Sequence, residues 1–89
     1  MKHVSIRVYG KVQGVFFRAS TKETADELGI NGSVRNEHDG SVSIEAEGDD
    51  ETLDKFIEWC KKGPRLASVH RCDVMEGEFR GFRGFVVVR

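Results

Sequence analysis

Apolar and polar residues alternate at the start of the chain: in "HVSIRVY", His3 to Tyr9, the residues Val4, Ile6 and Val8 fall on one side. A period of two is that of a strand with one buried face. The period then changes. Phe17, Thr21, Ala25 and Leu28 recur at helical spacing and predict a helix over residues 18–28. Ser20 and Glu23 match the S-x-x-E capping pattern near its start, and Gly29 supplies a stop. "NGSVRNEHDGSVSIEAEG", Asn31 to Gly48, reads as a hairpin. Gly32 to Asn36 is a short strand, Asp39-Gly40 is the turn signal, and Val42, Ile44 and Ala46 alternate on the return.

The next segment, "DDETLDKFIEWCKKG", is the clearest helix. Acidic residues crowd its start, Leu53, Phe56, Ile57 and Cys60 form one stripe, and Lys61-Lys62-Gly63-Pro64 ends it. "ASVHRCDVM" predicts a fourth strand and "GFVVVR" a fifth, and the charged stretch between them, Glu76 to Arg83, reads as a solvated connection. The order is β-α-β-β-α-β with a C-terminal strand added. One antiparallel sheet covered on one face by two helices is the economical packing, a ferredoxin-like α+β sandwich. In such a split β-α-β unit the first and second strands run the same way with the third between them. The loop after the first strand and the hairpin after the second then leave the sheet at one edge, making residues 10–18 and 36–40 neighbours.

Composition narrows the function. Eighty-nine residues, 38% of them hydrophobic, predict one domain spanning 1–89 with one core. Fourteen basic residues against fifteen acidic ones argue against a general electrostatic grip on nucleic acid or anionic lipid. No apolar run approaches the ~20 residues of a membrane span. "MKHVSIRV" enters strand pattern directly, without the apolar stretch of a signal peptide. Cys60 and Cys72 form neither a disulfide framework nor a zinc spacing, and Cys60 falls on the helical apolar stripe. A cytoplasmic monomer is the resulting expectation. His3, His38 and His70 are scattered without metal-ligand spacing, so no metal is expected.

The candidate chemistry lies in "VYGKVQGVFFRAS", Val8 to Ser20. Arg18 stands where a helix begins, although the aligned backbone dipoles there make a cation unfavourable by roughly 0.3–1 kcal/mol. Gly10 and Gly14 let the loop bend and approach a ligand closely. Successive N–H groups beside a helix start form an anion-binding concavity, and an arginine adds a planar fork matched to phosphate oxygens. The residues alone leave two readings open: a turn with a surface arginine, or an anion loop. Asn36 likewise either opens the "NEHDG" turn by local bonds or, at the end of its strand beside the loop, holds a water.

Two competing readings fit less well. A cysteine phosphatase needs C-x5-R, whereas Cys60 and Arg65 in "CKKGPR" have four residues between them. "RGFRGFVVV" approaches the RNP1 pattern of RNA-recognition domains, but Arg83 interrupts it and it falls on the last strand.

"VYGKVQGVFFR", Val8 to Arg18, resembles the signature of the acylphosphatase family. "GSVRNEHDGSVSIEAEG", Gly32 to Gly48, is similar to that family's second signature, with Ser33 where the family usually carries an aromatic residue. "GPRLASV", Gly63 to Val69, fits the run after its second helix. The resemblance implies a ferredoxin-like fold and hydrolysis of acyl phosphates, with no metal or organic cofactor. It further implies that Arg18 and the loop amides of Gln13, Gly14, Val15, Phe16 and Phe17 bind phosphate, and that Asn36 orients the attacking water.

Overall fold

Strand β1, Lys2–Lys11, lies near the middle of the sheet, flanked by β3, Val42–Gly48, and β4, Ser68–Gly77. With β2, Asn31–Asn36, and β5, Phe85–Val87, the order across the sheet is β4-β1-β3-β2-β5. This computed structural model describes Met1–Arg89. Cross-strand register carries the alternation of one strand onto the next: Val4 faces Ala46, Ile6 faces Ile44, Val8 faces Val42, and Val34 faces Ile44. All of these side chains are buried. They share one face because a strand repeats every two residues and register preserves that parity.

Helices α1, Phe17–Leu28, and α2, Asp50–Lys62, bring the stripe residues to that face. Phe17 and Ala25 from α1 join Leu53, Phe56 and Cys60 from α2 in the core. Phe17 tilts against Trp59 at 5.6 Å between ring centroids, and Phe56 meets Phe85 edge-on at 6.0 Å. Burial pushes the Cys60 thiol pKa up, as expected of an inert core cysteine. Helix α2 matches its sequence signals. Asp49 caps it by accepting from the Thr52 amide at 2.8 Å, Asp50 and Glu51 occupy its first turn, and Lys61 and Lys62 its last.

The four-stranded framework is antiparallel as expected, but the added strand is not. β5 runs parallel to β2, with Gly32 opposite Phe85 and Val34 opposite Val87, so the sheet is mixed. Two other expectations change. Gly10 remains within β1, at an irregularity in the pairing with β4, and its φ is 130°. A Cβ there would come within 2.2 Å of the Ser68 carbonyl oxygen. Its missing side chain therefore serves strand contact rather than ligand approach. The connection from Glu76 to Arg83 is also more than a solvated link.

On the sheet face away from the helices, His3 and Glu47 are 2% and 1% exposed. His3 Nδ1 lies 2.8 Å from a Glu47 carboxylate oxygen, and Nε2 lies 2.6 Å from Glu45, which also accepts from the Ser5 hydroxyl. Glu47 in turn accepts from the backbone N–H groups of Arg80 at 2.7 Å and Phe82 at 2.8 Å. The Phe82 ring stacks on His3 with centroids 5.9 Å apart. The charged connection is thus clasped to the sheet. Burial by itself raises the Glu47 pKa, but the hydrogen bonds from Arg80, His3 and Phe82 together outweigh it and hold the carboxyl below its ordinary 4.5.

Gly10→Ala should lower stability by about 1–3 kcal/mol in urea unfolding, because a backbone neighbour cannot yield to the new methyl. A lowered folded-state pKa means that Glu47 contributes its stabilisation above the unfolded carboxyl's pKa and loses it as pH falls through the folded value. The stability gap between the parent chain and Glu47→Gln should therefore be full at neutral pH. It should narrow as pH drops below about 4.5 in pH-stepped urea titrations.

Candidate active site

The two helices begin in opposite ways. Whereas α2 has an aspartate cap and acidic first turn, α1 has no side-chain cap and no acidic residue in its first turn. Its N-cap is Phe16, in left-handed conformation at φ 64° and ψ 22°, the one non-glycine residue in the chain with positive φ. The first backbone bond of the helix runs from the Ser20 amide to the Phe16 carbonyl at 3.0 Å. Ser20 therefore sits inside the helix and does not cap it, contrary to the S-x-x-E pattern. The N–H groups of Phe17, Arg18 and Ala19 precede that first bond, so no helical carbonyl receives them.

The same three residues border an open depression of about 380 Å³ lined by Val12, Gly14, Phe16, Phe17, Arg18, Ala19, Asn36, Val87 and Arg89. Gly14 adopts φ 73°, and nothing stands within 4 Å of where its Cβ would be. Phe16 is 74% exposed at the rim. A bulky residue in left-handed conformation costs about 1–3 kcal/mol, a strain that concentrates where backbone geometry serves a site. The Arg18 guanidinium donates to the Val88 carbonyl at 3.3 Å and lies at the depression.

Asn36 arrives from β2. It pairs with Val42 two residues beyond the Val34–Ile44 pair, so it continues the core-facing side of the strand and emerges at its exposed end. The hairpin is closed by other residues: the Glu37 amide donates to Ser41, and the Ser41 amide and hydroxyl donate to Asp39 at 2.9 and 2.5 Å. Those bonds hold the Asp39 carboxyl below its usual range. Gln13 ties loop to hairpin, its amide nitrogen donating to the carbonyls of Glu37 at 2.8 Å and Ser41 at 2.9 Å. Loop and hairpin are neighbours, as topology predicted.

Of the residues named from sequence, the structure brings Gly14, Phe16, Phe17, Arg18 and Asn36 to one depression. Gln13 braces the loop from the side, and Val15 is buried in the core. Sequence reasoning missed Val12, Ala19, Val87 and Arg89. The last two reach the depression only through the parallel pairing of β5 with β2, which has no local sequence signal. Ser33 faces the opposite side of the sheet, where it lines a separate depression of about 350 Å³ with Arg80 and Phe82. Its departure from the family pattern thus lies on the face of the sheet away from Asn36. The aromatic residues of the RNP1-like run are engaged elsewhere: Phe85 is in the core and Phe82 lies on His3.

Fold and depression define a class, ferredoxin-like α+β domains with hydrogen-bond donors gathered where the first strand gives way to a helix. The family model described as acylphosphatase matches residues 4–87. The chain is 49% identical over 90 residues to an acylphosphatase of Methylococcus capsulatus, covering all of this chain and 98% of the relative. The crystal structure of acylphosphatase from Bacillus subtilis superposes with a TM-score of 0.97 at 37% identity, covering both chains fully. An acylphosphatase structure from Coxiella burnetii gives 0.94 at 34% identity, covering 98% of this chain and 92% of that one. This chain belongs to the acylphosphatase family, and it is an enzyme of that kind. No helix is long and apolar enough to cross a membrane.

Proposed function

We propose that this acylphosphatase holds the phosphate of an acyl phosphate between Arg18 and the loop N–H groups from Gln13 to Phe17, with Asn36 orienting the attacking water. One observation carries the reading: Arg18, Asn36 and an uncapped helix start border the same depression. An anion there relieves the conflict between the arginine and the helix dipole, and the guanidinium fork matches two phosphate oxygens.

The reaction needs little else. Water oxygen attacks phosphorus, the bond from phosphorus to the acyl oxygen breaks, and the carboxylate leaves with the bonding pair. That leaving group is already a stable anion, so no general acid is required. The water proton passes to an oxygen of the transferring phosphate. Phosphoryl transfer through a loose transition state leaves positioning and charge stabilisation to the protein, and the arginine, the amides and one side-chain amide supply both. The work is assigned to these groups without a metal. The domain 1–89 acts as a monomer in the cytoplasm on a small-molecule substrate, with no nucleic-acid or membrane partner.

Benzoyl phosphate hydrolysis in the presence of a chelator tests the assignment, and turnover at the spontaneous rate by folded protein would sink it. Arg18→Lys should stay folded yet lose roughly 100-fold or more in kcat/KM, because a point charge cannot replace the fork. Asn36→Ala should lose about 100-fold in kcat while its inhibition constant for inorganic phosphate changes little. Near-parental turnover in either variant would remove that residue from the mechanism.

A further inference from the structure

The acylphosphatase chemistry leaves the buried pair of His3 and Glu47, with the half-buried Glu45 beside it, without a task. It lies on the far face of the sheet from the catalytic depression, yet a continuous set of contacts joins the two. Glu47 holds the amides of Arg80 and Phe82. Two residues on, the Gly84 amide donates to the Asn31 side chain at 3.1 Å and its carbonyl accepts from the Gly32 amide at 2.9 Å. β5 then follows β2 in parallel, and the Val88 amide donates to the Val34 carbonyl at 2.8 Å. The Val88 carbonyl accepts from the Arg18 guanidinium.

β5 is three residues long and sits at the edge of the sheet. A strand so short has few ladder bonds of its own and is placed by what anchors its ends. Upstream, Gly84 is tied to Asn31 and Gly32, Phe85 is held by the core and Lys22, and the connection before them is fastened by the carboxylate of Glu47. That carboxylate has little freedom, since His3 bonds it and the Phe82 ring covers His3. Nor is the anchor a chance surface pairing: both His3 and Glu47 are almost wholly excluded from solvent, and neither would remain so unpaired.

We propose that Glu47, held by His3, is a positioning residue for Arg18. It fixes the connection at Arg80 and Phe82, the connection sets β5, and the Val88 carbonyl at the end of β5 aims the guanidinium at the phosphate position. The inference rests on the assignment of Arg18 as the phosphate-binding arginine. It makes the far face of the sheet part of the machinery for substrate binding. Asn36 stands at the opposite end of β2 from Asn31 and Gly32, where its pairing with Val42 and the Gln13 brace on the hairpin also hold it.

Replacement of Glu47 by Gln keeps the size of the side chain but turns a donor toward one of the groups it must accept from. In Glu47→Gln, and in His3→Gln, KM for benzoyl phosphate and the inhibition constant of inorganic phosphate should both rise about tenfold, with kcat changed less than about threefold. Folded variants with parental phosphate affinity would overturn the proposal, as would a fall in kcat without a change in affinity. Should both variants fail to fold, hydrogen exchange in the parent chain decides. Because coupling is reciprocal, saturating phosphate should slow exchange at the Arg80 and Phe82 amides more than at the Thr52 amide of α2. Equal or no slowing would overturn it. If the parent chain binds no phosphate, the role of Arg18 fails first and this inference falls with it.

Discussion

Everything in this molecule hangs on the register between β1 and β3. Pairing Ile6 with Ile44 puts Val4, Ile6, Val8, Val42, Ile44 and Ala46 under the helices and His3, Ser5, Arg7, Ser43, Glu45 and Glu47 on the far face. A slip of β3 by one residue would exchange its two sets, sending Glu47 into the hydrocarbon core and Ala46 to the far face. On the other side of β3, β2 takes its own alignment from Ile44, which sets how far it extends. Asn36 therefore emerges at the level of the β1–α1 loop as a consequence of core packing, and Gln13 then stitches loop to hairpin.

Helix α1 gives up local stability at its start. It has no side-chain cap and a strained N-cap residue, and its first turn carries an arginine. The other helix has every favourable device that this one lacks. Capping is worth about 0.5–2 kcal/mol, so the omission is significant in a domain of this size. The free donors stay available to an anion, and Phe17, clamped between sheet and Trp59, keeps the helix in place by packing instead. Stability comes from the buried face, while the exposed end keeps its donors free of any side-chain cap.

The far face follows a different economy. An imidazole between two carboxylates is polar material where a sandwich usually meets water, and it stays dry because the return connection folds over it. Glu47 accepts from three groups on two segments, which turns a charged loop into a clasp. Phe82 completes it, and the resemblance of its neighbourhood to an RNA-binding motif reflects aromatic residues used for internal packing.

Periodicity, bounded by turn and cap signals, determined the seven elements and their order, because buried faces impose their period on the residues that cover them. The acidic start and basic end of α2, the glycine stop of α1 and the Asp39-Gly40 turn were legible for the same local reason. Arg18 and Asn36 could be named from sequence, and their meeting followed from topology. What sequence left undecided depends on contacts between distant segments. The true start of α1 lies with a strained Phe16 rather than Ser20, since the loop is braced from the hairpin. Gly10 answers to the backbone of β4, and β5 runs parallel to β2 because the connection from β4 crosses the sheet and is fastened at Glu47. Val87 and Arg89 reach the depression by that route alone. Local sequence encodes which face a residue turns, but only the closed sheet decides which distant residue it meets there.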